Sequence, residues 1–121
     1  MSILTNVGRS ILTNRIKGAG TEPAYNAWGT GTTAEAVTQT ALVTPSAEAR
    51  VAGTTTQQTT TVTNDTYQNV GTITSAGTQT ITEHGLFDAL TVGNMFCRSV
   101  FTGIAVVAAD QITFTTKVVF L

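Results

Sequence analysis

Glu83 and His84 are the only place in this chain where an acid stands beside an imidazole, since His84 is the single histidine and Cys97 the single cysteine. An acid–His pair could orient an imidazole for general-base work. A hydrolase also needs a nucleophile and a third group converging on the ring, and nothing in the spacing supplies them. A zinc-type site needs about four ligands, more than one His, one Cys and scattered acids offer. The chain therefore reads as a non-enzyme with no catalytic residues, no cofactor and no metal. Glu83 is expected to be a buried or half-buried acid bonding backbone N–H groups at a turn. His84 is expected to be a satisfied surface or interface histidine, and Cys97 a small buried hydrophobe.

Gly29-Thr30-Gly31-Thr32-Thr33-Ala34 fits the G-x-G-x-x-A form of a dinucleotide fingerprint, with Glu48 near the place of a ribose-binding acid. The context fails. The stretch after the glycines is Thr-rich and alternating, without the helix or the buried parallel strands that the fingerprint requires. No Lys comes after the glycines, so a phosphate-binding P-loop is excluded as well. A sugar platform would need exposed rings, and only Tyr25, Trp28 and Tyr67 are candidates.

The elements that must position these residues are mostly strands. Threonine fills 27 of 121 positions, and a β-branched residue favours the pleated sheet. Charged residues are 11%, against roughly 25% in ordinary soluble domains. A surface so poor in charge offers little protection against self-association. The net charge of −1 argues against nucleic acid as a partner. No apolar run approaches the roughly 20 residues of a membrane helix, and no compact apolar segment marks a secretory signal.

Residues 1–20 read as an amphipathic helical arm and residues 21–121 as one β-domain. In the arm, Ile3, Leu4, Val7, Ile11 and Leu12 recur at helical spacing, with Ser2 as cap. Arg9, Arg15 and Lys17 stand there without an acid. These eight residues are the predicted docking element for a partner surface. The stretch 34–43 reads as an irregular connection. Residues 49–63 and 66–75 read as two strands with Asn64-Asp65 between them, and 78–83 as another. Residues 99–107 and 111–120 are predicted to pair as a hairpin. In the last of these, Ile112, Phe114, Thr116, Val118 and Phe120 share one face. The fold class is all-β, an antiparallel β-sandwich or jelly-roll-like domain with a short helical arm.

An ordered set of segments carries a resemblance. An N-terminal helical segment leads to Tyr25-Asn26-Ala27-Trp28-Gly29-Thr30-Gly31-Thr32, then a Leu42 to Arg50 stretch, Thr80-Ile81-Thr82-Glu83-His84-Gly85-Leu86-Phe87, Met95-Phe96-Cys97-Arg98-Ser99-Val100-Phe101 and Asp110-Gln111-Ile112-Thr113-Phe114-Thr115. Their order resembles small structural proteins of tailed bacteriophages, in which a GxGT loop precedes an I-x-E-x-G-L-F strand-to-turn element. The resemblance implies a capsid decoration (cement) protein, made in the host cytoplasm and located in the virion. It implies a homo-oligomer, with a trimer favoured, bound to the major capsid protein or other virion proteins, without a small-molecule substrate. The alternative it implies is a tail-side part: a collar, tail or fibre-attachment component. Trp28, Gly29, Gly31, Glu83, Gly85, Leu86 and Phe87 would then shape turns, with φ > 0 at Gly85.

Overall fold

The computed structural model describes residues 2–121. It contains eight strands and one helix, in the order β1 (Ser2–Leu4), α1 (Asn6–Ile16), β2 (Tyr25–Gly29), β3 (Val51–Ala52), β4 (Thr54–Gln58), β5 (Thr66–Thr74), β6 (Gln79–Phe87), β7 (Met95–Val106) and β8 (Gln111–Val119). All pairings are antiparallel, in a five-stranded sheet β1-β7-β6-β2-β3 and a three-stranded sheet β4-β5-β8. The all-β reading holds.

The two sheets enclose an apolar cluster of Trp28, Ile73, Ile81 and Val106, against which Phe101, Ile112 and Phe114 pack. Alternation explains which side chains go there. On β2, Asn26 and Trp28 face the other sheet, while Tyr25 and Ala27 pack on the opposite face against Leu42, Phe87 and Met95. Residues 31–44 cover that opposite face as a third layer without helix or strand, and Pro45 then bridges to Gly29 beside β2. The irregular connection expected at 34–43 lies inside this layer.

The helical arm is corrected. Ser2–Leu4 is a strand in register with β7 (Ile3↔Arg98, Leu4↔Cys97), so Ile3 and Leu4 are not on a helix. The helix is capped by Thr5, whose Oγ1 accepts the Gly8 N–H at 2.8 Å and donates to Met95 O at 2.6 Å. A hydroxyl that caps the helix and bonds the neighbouring strand fixes where the helix starts. Ile11 is buried with Leu86, Phe96 and Cys97, and Leu4 and Leu12 pack on that group. Gly8 faces Phe96 O so closely that a Cβ there would collide with it. Residues 2–20 therefore do not stand apart from residues 21–121. Their apolar stripe faces the chain's own core.

The predicted hairpin is corrected too. β7 and β8 are consecutive and joined by a turn, with Ala109 at φ 73°, yet they belong to different sheets. β8 pairs with β5 instead, from Thr66↔Val119 to Thr74↔Gln111. Its alternation survives, with Ile112, Phe114, Thr116 and Val118 half-buried and Gln111, Thr113, Thr115 and Lys117 exposed. β4 and β5 form the expected pair, but residues 59–65 make a longer loop than the two-residue turn predicted. There Asp65 accepts the N–H groups of Thr60, Thr61 and Val62, and Asn64 takes φ 64°.

Candidate functional site

Glu83 and His84 are consecutive on β6, so their side chains point to opposite faces of the sheet. One sequence pair therefore becomes two separate sites.

On the outer face, the Glu83 carboxylate is fully buried. Its Oε2 accepts the N–H of Gly31 at 2.7 Å and of Thr44 at 2.8 Å; its Oε1 accepts the N–H of Val43 at 2.9 Å and Nε of Arg98 at 2.9 Å. Burial alone would raise its pKa. The bonds from Thr44, Val43, Arg98 and Gly31 outweigh that and hold the carboxyl below the usual range. Arg98, also fully buried, lies on β7 one register step from Glu83's partner Val100, since Gly85↔Arg98 and Glu83↔Val100 are paired. Its Nη1 donates to Thr33 O at 2.9 Å and Gln39 Oε1 at 3.1 Å. Glu35 accepts the Val100 N–H at 2.8 Å, and Thr82 Oγ1 donates to Gly31 O at 2.8 Å. Together these bonds tie residues 31–44 to β6 and β7. The chemistry is that of a clasp.

The predicted turn residues are placed accordingly. Glu83 is the expected buried acid bonding backbone N–H groups, but the groups belong to the overlying segment and not to a turn at 83–85. Glu83-His84-Gly85-Leu86-Phe87 is strand throughout, and Gly85 is not among the glycines with positive φ. Gly85 is small for another reason: a Cβ would press on Leu42 Cδ2 at 2.9 Å. Gly31 and Gly29 do make the tight passage expected, since a Cβ would strike Glu83 Oε2 at Gly31 and Thr44 O at Gly29. Leu86 enters the core beside Ile11, and Phe87 packs with Leu42 and Met95. The Arg50 guanidinium lies 3.6 Å over the Phe87 ring. Trp28 is 2% exposed, with Nε1 donating to Glu48 Oε2 at 3.2 Å, so it offers no ring to a sugar.

On the inner face, His84 is buried and not a surface residue. It stacks on Phe114 at 4.2 Å between centroids, and its Nε2 lies 2.9 Å from Asn26 Oδ1. Asn26 Nδ2 donates to Asn69 Oδ1 at 2.9 Å, and Asn69 Nδ2 to Ala24 O at 3.2 Å. This polar chain links β6, β2 and β5 across the sandwich, and Gly53 and Gly71 leave it room. Neither asparagine stands out in the sequence. The only signal was a polar residue on the apolar phase of each strand.

Burial lowers the His84 pKa from its ordinary 6.5 to about 4. The unfolded chain then takes up a proton near pH 6.5 that the folded chain refuses until about pH 4. Stability from this group is complete above pH 6.5 and is lost as pH falls toward 4, by about 3 kcal/mol in all. The urea midpoint is expected to fall across this window, and His84→Gln to flatten the fall. An equal slope in both proteins between pH 6.5 and about 5 would count against it.

The docking residues are divided by the fold. Leu4, Ile11 and Leu12 pack inward, Ile3 and Val7 are half-buried, and Arg9, Arg15 and Lys17 are exposed on α1 or just beyond it. Arg9 bonds Asn6 Oδ1, and Arg15 bonds Gly20 O. Cys97 is buried, and burial pushes its thiol up to about 12. Among the described residues no group of three or more His, Cys, Asp or Glu is placed to hold a metal ion. No helix among them is long and apolar enough to cross a membrane. Gly29 ends β2 and no helix opens after it, so the G-x-G-x-x-A string lacks its structural context. Compared with known proteins, the chain matches no protein-family model, no curated protein and no solved structure.

Proposed function

We propose that this chain is a structural part of a tailed-bacteriophage virion, and specifically a capsid decoration protein that binds across capsid subunits and stabilises the shell. It works there as a homo-oligomer bound to the major capsid protein. Its action is mechanical, adding contact area at each junction, and repetition over a shell multiplies weak contacts.

The resemblance of the Trp28–Thr32 and Ile81–Phe87 strings to such proteins supports the reading. The observation that carries it is the use of the buried polar groups. Glu83, Arg98, His84, Asn26 and Asn69 bind one another or the backbone, while the surface is rich in Thr and poor in charge. A surface of that kind meets other proteins without the cost of desolvating many ions. The part of the N-terminal segment left for a partner is its basic side, with Arg9, Arg15 and Lys17.

Quantitative mass spectrometry of purified particles, with antibody labelling, tests it. Many copies spread over the head are expected. A handful at the tail would move the protein to the collar, tail or fibre attachment, and absence from particles would end the virion reading.

A further inference from the structure

Four strands end the two sheets, and three of them are short. β1 has three residues, β3 two and β4 five, whereas β8 has nine. The register of β8 with β5 runs over all nine residues without a bulge. The strand has no proline and one charged residue, Lys117. Soluble proteins protect open edges with short strands, charges, prolines or bulges. β8 has almost none of these.

The sandwich is open on this same side. On the other side the chain itself joins the layers, running from β3 through Gly53 into β4. At β8, a groove of about 550 Å³ separates the sheets. Residues 112–119 form one wall, Leu4, Cys97, Phe101 and Ile104 part of the other, and His84 also lines it. Ile104 is 42% exposed there.

We propose that β8 is the contact of a two-fold homodimer. β8 of one copy pairs antiparallel with β8 of a second, centred on Thr115. The two three-stranded sheets become one six-stranded sheet, and the two grooves close on each other.

The strand is self-complementary in this register. Thr115, its central residue, meets its own copy; Thr113 meets Lys117, and Gln111 meets Val119. Lys117 is the only charged side chain lining the groove. The two Lys117 residues fall four positions apart, about 14 Å along the strand, beyond the screening length of about 8–10 Å. The area is of the right order. A nine-residue strand is about 30 Å long and a two-layer sandwich with its side chains about 25 Å thick, giving at most about 750 Å² per copy, less where the edge of the other sheet is the three-residue β1, against about 800 Å² in a standard interface. A foreign strand could use the backbone edge, but it would not close a second groove over this one. The contact rests on the edge geometry alone and does not need the virion reading, although a two-fold contact replaces the trimer that the resemblance implies.

Sedimentation equilibrium of the full chain across the micromolar range tests it, with two variants at exposed positions. Thr115→Glu sets two carboxylates directly opposite each other and is expected to weaken the dimer about threefold to fivefold. Thr113→Glu places a carboxylate opposite the partner's Lys117 on both sides of the axis. It is expected to tighten the dimer about threefold to tenfold, an effect that Lys117→Gln removes. Circular dichroism verifies that each variant is folded; should Thr115→Glu not fold, Thr115→Lys reads the same repulsion. A monomer at all concentrations overturns the proposal, including the case in which β8 receives a strand from a different protein. A trimer, or a dimer indifferent to both variants, overturns it as well.

Discussion

Replacing Glu83 with glutamine is expected to destabilise the fold by about 3–5 kcal/mol, the range for removing one partner of a buried ion pair. The substitution keeps the shape of the side chain. It leaves the Arg98 guanidinium, itself fully buried, without its carboxylate. It also turns an amide N–H₂ toward two donors, either the N–H groups of Gly31 and Thr44 or the Val43 N–H and Arg98 Nε. Arg98→Met is expected to cost less, because the carboxylate would keep three backbone donors. Urea unfolding gives the global effect. Amide exchange gives the local one, with faster exchange at Gly31, Val43 and Thr44 in Glu83→Gln. A loss below about 1 kcal/mol, with those amides still protected, would show that residues 31–44 hold their place without the clasp.

Deleting residues 2–18 is expected to abolish cooperative unfolding. The sequence by itself suggests a detachable arm, whose loss would spare the β-domain. The packing says otherwise. The deletion removes β1 from the edge of β7, uncovers Leu86, Phe96 and Cys97, and takes away the Thr5 bond to Met95 O. Burial of Ile11 is worth about 1.5–3 kcal/mol, and the partly buried Leu4 and Leu12 each add a share of that. With the β1 ladder and the Thr5 bonds lost as well, the sum reaches the low end of the roughly 5–15 kcal/mol that holds an entire domain. Thermal melts followed in the near and far ultraviolet measure it. A truncated chain that melts cooperatively within a few degrees of the full one would return residues 1–20 to the role of an arm.

Glu83 and the N-terminal helix were each legible in part from the sequence. Glu83 was legible as a buried acid serving backbone N–H groups, because a lone carboxylate within Thr80-Ile81-Thr82-Glu83 needs donors if it is to be buried. Which donors was not legible. They come from 39 to 52 residues away, and the segment that carries them has no period to read. Arg98 left a sign, a cation directly after the apolar run Met95-Phe96-Cys97 on the same strand, but its partnership depends on the register of β6 with β7. The helix existed as expected, yet its cap moved from Ser2 to Thr5. A strand edge on β7 claimed Ile3 and Leu4, and tertiary hydrogen bonding overrode a helical spacing weakened by β-branched residues.

What the sequence determined alone was local. It specified strand content, the alternating face of β8, the tight glycines at 29 and 31 and the burial of Cys97. Each stems from side-chain shape or from a period of two along one strand. Apart from the β4–β5 pair, pairing was decided only by the tertiary structure. Nothing in residues 99–120 says whether β7 and β8 share a sheet. The answer lay in β5, whose nine-residue register captured β8, and in β6, which took β7. Hydrogen-bonded ladders are chosen by competition among all the strands at once. Alternation along β6 put Glu83 and His84, neighbours in sequence, on opposite faces of one sheet, and the tertiary structure decided what each face meets. One became a clasp for the outer layer and the other a link between the two sheets.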